Sequence, residues 1–290
     1  MPPVTITIAN QKGGTGKTTL ATLLAYGLLL KNRRVLLLDL DPQAHLSSMF
    51  LKITDIEKVD NGVIQLAQGE RFEIRKIDLG VKGSRGSIGL IPSGLNYIVA
   101  IFRGQIPSWD PFAVYRRIAN EPAINKYYDY IICDTPPELF PPTIWGLYAA
   151  DYVIIPSNYE ELSIAGVRLL LKEVIPEVVY AAKKDLRILG IVLINVTRRH
   201  KQKSYDDLEK SFVKYIKRGL PRVVYERIYS KPLFNTVIHR YRGLSDLVYT
   251  PRKLRTPLSR VLSSTKQLEN EVKSFVDEVE KRISNFVGVT

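Results

Sequence analysis

The sequence predicts an α/β fold: a doubly wound, mostly parallel sheet with a long C-terminal helix, as a single domain spanning residues 1–290. Two observations support this prediction. Short apolar, β-branched runs alternate with helical segments, as in βαβ units. The runs are also continuously apolar, which is typical of strands buried on both faces. The predicted strands are Val4–Ala9, Arg34–Asp41, Ser87–Pro92, Tyr128–Asp134, Asp151–Pro156 and Ile188–Val196.

Helical segments lie between and after these runs. Thr18–Lys31 is apolar on nearly every side, which predicts a buried helix. Ile164–Val179 is a second helical segment, in which Pro176 is expected to end or kink the helix. Pro257–Val287 carries apolar residues at spacings of three and four and is followed by Gly288, a suitable C-cap.

The last helix has two possible roles, packing on the sheet or anchoring the protein at a membrane surface. Helices that lie on anionic membranes have a polar face rich in Lys and Arg. Here the polar side is acidic, with Glu269, Glu271, Asp277, Glu278 and Glu280. We therefore expect the helix to pack on the sheet, and we expect no membrane partner.

Composition excludes several classes of protein. Of the 290 residues, 45% are hydrophobic and 24% are charged, as in ordinary globular proteins. The single cysteine, Cys133, cannot form a disulfide framework or supply an iron–sulfur cluster within one chain. The N-terminal residues do not resemble a signal peptide, and no run approaches the roughly 18 to 20 apolar residues that span a bilayer. We expect a cytoplasmic protein.

Positive charge is concentrated in one segment. Residues 183–260 contain 20 Lys and Arg against 6 Asp and Glu, a net charge of +14, whereas residues 1–182 are neutral and residues 261–290 have a net charge of −1. Such a basic block indicates a polyanionic partner, either nucleic acid or an anionic membrane. The alternative is a lysine-rich, solvated surface of the kind found in proteins from hot environments. The concentration in one block favours the polyanion.

A phosphate-binding loop is predicted at Asn10–Lys17, between the first strand and the first helix. It ends like the pattern G-x-x-x-x-G-K-[ST], but Gln11 replaces the first glycine and Lys12 lies beside it. Glycines let backbone N–H groups turn towards phosphates, and the helix N-terminus adds partial positive charge. Lys17 is expected to neutralise the β- and γ-phosphates, and Thr18 to ligate Mg²⁺. The predicted nucleotide-binding residues are Gly13, Gly14, Thr15, Gly16, Lys17, Thr18 and Thr19.

Three aspartates end two of the predicted strands. Asp39 and Asp41 are two positions apart, so on a strand both would face the same side. Asp134 ends another strand, and ligands bind in the crevice at the carboxyl ends of parallel strands. Each aspartate alone could be a turn residue. Together with the loop, they predict an Mg²⁺–phosphate site in which Asp134 is the carboxylate from a second strand.

These motifs resemble those of the deviant Walker A ATPases of the ParA/MinD superfamily, and of its ParA-type partition ATPases in particular. KGGTGKTT, DLDPQ and IICDTPP are similar to the signature motifs, and Leu90–Ala100 and Val153–Leu170 resemble further ParA-type segments at matching spacing. The likeness is strong over about residues 4–170, weaker over 188–255, and thin over 52–87 and the C-terminal helix. It implies a P-loop NTPase fold and Mg²⁺-dependent ATP hydrolysis.

The resemblance also implies roles for individual residues. Lys12 matches the signature lysine, which reaches the partner's phosphates in a homodimer with ATP sandwiched between the two chains. Asp41 is expected to position the attacking water, Asp39 to lie near the Mg²⁺ shell, and Asn195 to hold the edge of adenine. Alternatively, Asn195 is a strand-end residue that caps a turn. The expected catalytic residues are thus Lys12, Lys17 and Asp41, the metal-associated residues are Thr18, Asp39 and Asp134, and the cofactors are ATP and Mg²⁺.

By the same resemblance, the basic block is a DNA-binding surface. ParA-type dimers bind chromosomal DNA without sequence preference, and phosphate contacts alone give such binding. We expect a plasmid or chromosome partition ATPase that associates with the nucleoid and is stimulated by a centromere-binding, ParB-like partner. The predicted DNA contacts are Arg198, Arg199, Lys201, Lys217, Arg218, Arg222, Arg252, Lys253 and Arg255.

Three other functions share part of the pattern. A MinD-like, membrane-associated positioning ATPase is the main alternative, although the acidic C-terminal helix makes a poor anchor. Nitrogenase-reductase-like carriers and iron–sulfur scaffold ATPases need cluster ligands that one cysteine cannot supply. A substrate kinase would leave Lys12 without a role.

Overall fold

The computed structural model describes most of the chain between residues 2 and 288. In this part, the strands form one eight-stranded sheet in the order β3-β4-β2-β5-β1-β6-β7-β8. Only the β3–β4 pair of this sheet is antiparallel. The described residues are 2–79, 81, 83–94, 96–103, 110–138, 141–158, 161–182, 185–197, 207, 209–211, 213–214, 219–241, 244 and 265–288.

The strands confirm the predicted α/β fold, and six of them match predicted strands. The other two, β3 and β8, form the edges of the sheet. Edge strands are half exposed and lack the continuous apolar run by which buried parallel strands are recognised. The strands are β1 Val4–Ile8, β2 Arg34–Asp39, β3 Arg75–Ile77, β4 Ser87–Ile91, β5 Tyr130–Asp134, β6 Tyr152–Ser157, β7 Arg187–Val196 and β8 Leu233–His239.

Helices cover both faces of the sheet, as a doubly wound fold requires. Ile6 and Ile8 of β1 pack in one core with the helices Lys17–Leu30 and Lys266–Val287. Thr7 alternates with them and donates from Oγ1 to the Gly146 carbonyl of α8, on the opposite face, at 2.7 Å. The helices are α1 Lys17–Leu30, α2 His45–Ser48, α3 Ile53–Ile56, α4 Val63–Gln68, α5 Asn96–Phe102, α6 Ala113–Asn120, α7 Pro122–Tyr127, α8 Pro141–Ala149, α9 Glu161–Leu169, α10 Ile175–Ala182, α11 Arg222–Tyr225 and α12 Lys266–Val287.

The predicted break at Pro176 takes the form of a change in helical winding. Between α9 and α10, Leu170–Val174 forms a π-helical turn, and the chain remains helical to Ala182. Proline has no N–H to donate, and its ring clashes with the carbonyl four residues earlier. The wider turn directly before Pro176 is a common way to accommodate such a defect.

The long C-terminal helix packs on the sheet, as expected from its acidic polar side. Its apolar face is formed by Leu268, Val272, Phe275, Val276 and Val279, all buried in the core that includes α1. The helix begins later than the predicted Pro257, because Thr265 has an extended backbone; residues 257–264 lie outside the described part. Gly288 is the C-cap, as predicted.

Polar contacts join α12 to the edge strand β8. The Arg282 side chain is 1% exposed and donates to the carbonyls of Leu189 and Leu233, each at 2.6 Å, and to Glu278 at 2.7 Å. Glu278 also accepts hydrogen bonds from the backbone N–H groups of Asn235 at 2.9 Å and Thr236 at 3.0 Å. Nearer the end of β8, the His239 N–H donates to Glu271 of α12 at 3.1 Å. Side chains of α12 therefore satisfy backbone groups of β8.

Arg282→Ala is expected to lower the free energy of unfolding by about 3–5 kcal/mol, the usual effect of removing one partner of a buried ion pair. The change also leaves the Leu189 and Leu233 carbonyls without a donor. Urea denaturation would measure the loss. Lys281→Ala, at the exposed neighbouring position, is the matched control and should change stability by less than about 0.5 kcal/mol. Equal stability of the two variants would contradict this role for Arg282.

Candidate nucleotide site and basic surface

The sheet topology brings the predicted site residues to one edge. β1 lies between β5 and β6, and β5 also pairs with β2. In register, Asp134 at the end of β5 is opposite both Ile8 of β1 and Asp39 of β2. The loop after β1, the turn after β2 and the end of β5 are therefore neighbours, and the predicted loop and aspartates meet in space.

The loop after β1 has the backbone shape of a phosphate cradle. Gly14 and Gly16 have φ angles of 73° and 83°, in the left-handed region that favours glycine. A Cβ on Gly16 would lie 3.0 Å from Cδ1 of Ile194, so the base of the loop also packs closely on the end of β7. Gly13 and Gly14 are exposed at the tip, where backbone N–H groups can reach a ligand.

Asn10, which sequence analysis did not single out, fixes the start of the loop. Its Nδ2 donates to the Pro156 carbonyl at 2.7 Å, and its Oδ1 accepts from the Lys12 N–H at 3.1 Å. Gly166 of α9 packs directly on it, because a Cβ there would lie 2.5 Å from Asn10 Oδ1. A polar residue directly after a buried apolar strand is the sequence signal that could have indicated this role.

Lys17 is the buried cation of the site. It is 7% exposed, and its Nζ donates to the Lys12 carbonyl at 3.0 Å. Burial lowers the pKa of Lys17, whereas the carboxylates of Asp134, Asp41 and Glu138 oppose the shift by stabilising the charged form. A buried ammonium loses little hydration when it binds an anion, so Lys17 has the burial and charge that the predicted phosphate contact requires.

Asp39 is held rigidly at the end of β2. It is fully buried, and its Oδ2 accepts from both the N–H and the hydroxyl of Ser47, each at 2.7 Å. Its Oδ1 accepts from the Asp41 N–H at 3.1 Å. Burial raises the pKa of Asp39 to about 7, and the negative charge of Asp41 adds to the shift. Ser47 is a second residue of the site that the sequence motifs do not indicate.

Asp134 is the carboxylate best placed to hold a cation. Within the described residues, neither of its buried oxygens has a well-formed hydrogen bond, although the neighbouring Thr18 hydroxyl lowers its pKa. Burial dominates and raises the pKa of Asp134 well above its usual range. A buried carboxylate without a donor beside a threonine hydroxyl fits Mg²⁺, which prefers oxygen ligands. No group of three His, Cys, Asp or Glu suited to a metal occurs in the described ranges.

Asp41 lies in a turn rather than in the strand, because β2 ends at Asp39 and not at the predicted Asp41. It is 4% exposed; its Oδ1 accepts from the Gln43 N–H at 2.9 Å, and its Oδ2 lies 3.2 Å from Nδ1 of His45. Ala44 has a φ of 54°, a left-handed conformation that costs a non-glycine residue about 1–2 kcal/mol. This turn, not strand alternation, brings Asp41 beside Asp39.

Asn195 lies near the base of the loop. It follows Ile194, which contacts Gly16, and its own backbone has a φ of 61° with an exposed side chain. The side chain is therefore accessible at the carboxyl end of β7. Its predicted contact with adenine stays a prediction.

A family model described as an AAA domain (AAA_31) matches residues 4–188, which include the loop and the three aspartates. Over 188 residues the chain is 35% identical to the chromosome-partitioning ATPase Soj of Thermus thermophilus, covering 65% of this chain and 68% of that protein. The chain belongs to the ParA-type P-loop ATPases of the ParA/MinD family. It is also 33% identical to an uncharacterized protein of Methanocaldococcus jannaschii over 211 residues, covering 72% of this chain and 80% of that protein.

Solved structures resemble this ParA-type ATPase over nearly its whole length. The pNOB8 ParA structure is 25% identical, with a TM-score of 0.82, and covers 98% of this chain and 99% of that one. A pNOB8 ParA structure bound to nonspecific DNA has a TM-score of 0.80 at 24% identity and covers the same shares of the two chains. The cobyrinic acid a,c-diamide synthase of Mycobacterium smegmatis, with an ATP analog and magnesium, has a TM-score of 0.66 at 26% identity, covering 91% and 98%.

The basic surface of this ParA-type ATPase is described only in part. Arg222 is the one predicted DNA contact inside the described ranges; its side chain is 91% exposed and pairs with Glu226 at 2.6 Å. Other exposed basic residues in this part of the 183–260 segment are Lys210, Lys214, Lys231 and Arg240. Eight predicted contacts lie outside the described residues, namely Arg198, Arg199, Lys201, Lys217, Arg218, Arg252, Lys253 and Arg255.

A membrane-spanning helix is not found in the described ranges, because no helix there is both long enough and apolar enough.

Proposed function

We propose that this protein is a DNA-partition ATPase that binds ATP with Mg²⁺, dimerises on ATP and binds duplex DNA without sequence preference. The observation that carries the proposal is the buried Lys17 facing Asp134 and Asp41 behind a glycine cradle. The chain combines this site with a segment of net charge +14. The Soj relative and the DNA-bound pNOB8 ParA structure support the same function.

The residues of the site divide the work of hydrolysis. Lys17 and the N–H groups of the loop bind the phosphates and stabilise the charge that develops on them. Thr18 and Asp134 would hold Mg²⁺, with Asp39 behind them, and the bound cation would supply charge neutralisation at the phosphate oxygens. Asp41 orients the attacking water and accepts its hydrogen bond. Asn195 contacts the adenine.

Lys12 of one subunit contacts the ATP that is bound to the other subunit of the dimer. Its backbone is fixed by Asn10 on the N–H side, and its carbonyl accepts from Lys17 Nζ at 3.0 Å and Thr15 Oγ1 at 3.2 Å. These backbone contacts support a position for Lys12 at the rim of the loop rather than over its own phosphates. A lysine at the rim adds its charge to the phosphates of a facing subunit, so ATP stabilises the dimer and hydrolysis releases it.

The dimer sets two basic surfaces side by side. Phosphate contacts give DNA binding that is salt-sensitive and indifferent to sequence. We infer that the protein works on the nucleoid in the cytoplasm, and that a centromere-binding, ParB-like partner stimulates its slow hydrolysis and carries the DNA to be moved.

ATP is expected to increase both the affinity for duplex DNA and its salt dependence. The logarithm of affinity falls with the logarithm of salt concentration by about 0.9 per phosphate neutralised, so a dimer that engages twice as many phosphates has about twice the slope. Co-sedimentation with plain duplex DNA and with anionic liposomes, each with and without ATP, would measure this.

The matched variant is Lys12→Ala, which should bind ATP yet remain monomeric, with the DNA affinity of the nucleotide-free protein. Lys52→Ala removes an exposed lysine far along the chain and should behave like the wild type. Equal DNA affinity with and without ATP would refute the coupling. Normal ATP-dependent dimerisation of Lys12→Ala would refute its action across the dimer, and liposome binding without DNA binding would indicate a MinD-like function.

A further inference from the structure

The turn that follows β2 places a histidine against the aspartate that the proposed function assigns to hydrolysis. Nδ1 of His45 lies 3.2 Å from Oδ2 of Asp41. The two residues differ in exposure, since Asp41 is buried whereas the side chain of His45 is 47% exposed. One side of the imidazole therefore faces the site, while the rest can exchange protons with solvent.

The contact is held in place from both ends of the turn. The Ala44 N–H donates to the Asp41 carbonyl at 2.8 Å, and Ala44 itself adopts the left-handed backbone. Beyond His45, the backbone N–H and hydroxyl of Ser47 are fixed on the buried Asp39. His45 is thus anchored between two hydrogen-bonded points, in a strained turn of the kind that accumulates at functional sites.

We propose that His45 is a positioning residue that orients the Asp41 carboxylate for ATP hydrolysis and makes the hydrolysis rate depend on its own protonation. This inference rests on the proposed role of Asp41. Oδ1 of Asp41 is already held by the Gln43 N–H, so a second donor at Oδ2 fixes the plane of the carboxylate. The remaining lone pair on each oxygen then has a fixed direction, so the carboxylate can accept from the attacking water in one orientation.

The direction of the pH effect follows from the charges around the imidazole. The hydrogen bond to Asp41 raises the pKa of His45; partial burial opposes this, and the carboxylates of Asp41, Asp39 and Asp134 add to the rise. Lys17 is a buried cation whose charge interacts with the carboxylates of Asp134 and Asp41. Below its pKa, His45 is an imidazolium that makes a stronger, charge-assisted bond to Asp41 and weakens that carboxylate as an acceptor for water. Hydrolysis should therefore rise as the pH rises through the pKa of His45.

Two substitutions separate positioning from charge. His45→Ala removes the donor and is expected to lower kcat about ten- to a hundredfold above the pKa of His45, with KM for ATP unchanged, because a misplaced catalytic group costs this much. Below that pKa the difference from the wild type should shrink, because the variant has no imidazolium to weaken Asp41. His45→Asn places an amide N–H where Nδ1 lies but cannot titrate, so it should keep most of the neutral-pH kcat and lose one ionisation from the acid side of the profile.

The matched control is His239→Asn. His239 also contacts a carboxylate, with Nδ1 2.8 Å from Glu271, but it lies on β8 against α12, and its replacement should leave the pH profile unchanged. The imidazole signals of His45, followed by NMR in nucleotide-free protein, give a readout besides activity. In the Asp41→Asn variant, the pKa of His45 that these signals report should fall towards the ordinary value for histidine.

Each result decides the inference. A His45→Ala protein with wild-type kcat and wild-type pH profile would overturn it, as would a His45→Asn protein that keeps every ionisation of the wild type. Unchanged His45 signals in Asp41→Asn would show that the contact does not exist in solution. In all of these cases Asp41→Ala could still lack hydrolysis, so failure of this inference is distinguishable from failure of the proposed function.

Discussion

Lys17→Ala is expected to abolish measurable ATP binding, with a loss of affinity of about a hundredfold or more. Hydrogen bonds to charged groups contribute about 1.5–3 kcal/mol each, and Lys17 is expected to make two, to the β- and γ-phosphates. In the variant, the site disfavours the binding of ATP, because Asp39, Asp41 and Asp134 are all buried there. Without the positive charge of Lys17 among them, the negative charge of these carboxylates repels the phosphates. Fluorescent ATP titration or calorimetry would measure the affinity.

The control for this variant is Lys58→Ala, which removes an exposed lysine at a position outside the loop. It should bind ATP with wild-type affinity, which would show that the loss of one positive charge elsewhere in the protein does not lower ATP affinity. Thermal unfolding would establish that Lys17→Ala is folded. Wild-type affinity in a folded Lys17→Ala protein would mean that the loop after β1 is not the nucleotide site.

Asp41→Ala is expected to slow ATP hydrolysis by about 10²- to 10⁴-fold, the usual effect of removing a group that handles the proton of a reacting water. ATP affinity should not fall, because the variant loses a negative charge near Lys17 and keeps the cradle intact. The ATP dimer should therefore persist. Phosphate release would measure turnover, and light scattering would detect the trapped dimer.

Asp60→Ala is the comparison for this change, since Asp60 is exposed and lies outside the β2 turn. Its turnover and its dimer lifetime should equal those of the wild type. If Asp41→Ala turned over ATP normally, Asp41 would be only a turn residue, whose carboxylate serves to hold the Gln43 N–H and His45.

The parts of the fold that sequence analysis predicts are those with a simple pattern. Continuous apolar runs identify the buried strands, and the glycine-rich loop identifies the phosphate cradle, because only glycine adopts the backbone of Gly14 and Gly16 without strain. The edge strands β3 and β8 are not predicted, because one of their sides is exposed and they therefore lack a continuous apolar run. The predicted start of α12 is wrong because apolar residues at helical spacing continue upstream of Lys266 in the sequence. The helix nevertheless begins at Lys266, since Thr265 has an extended backbone.

The site is predicted less completely, since its supporting residues depend on three-dimensional neighbours. Asn10 acts through the Pro156 carbonyl, 146 positions away in sequence. His45 reaches Asp41 only because Ala44 adopts a conformation that its residue type disfavours. Neither contact has a signature in residue spacing. The individual DNA contacts are equally beyond prediction, because many basic residues on one surface are chemically equivalent.

The way α12 completes the edge of the sheet has a consequence for synthesis on the ribosome. Every strand described here precedes α12 in sequence, yet the N–H groups of Asn235, Thr236 and His239 are satisfied by Glu278 and Glu271 of that helix. Until those residues leave the exit tunnel, β8 of a nascent chain has unpaired donors on which a neighbouring nascent chain can add a strand. The last helix therefore ends the period in which growing chains on one polysome are most exposed to pairing with each other.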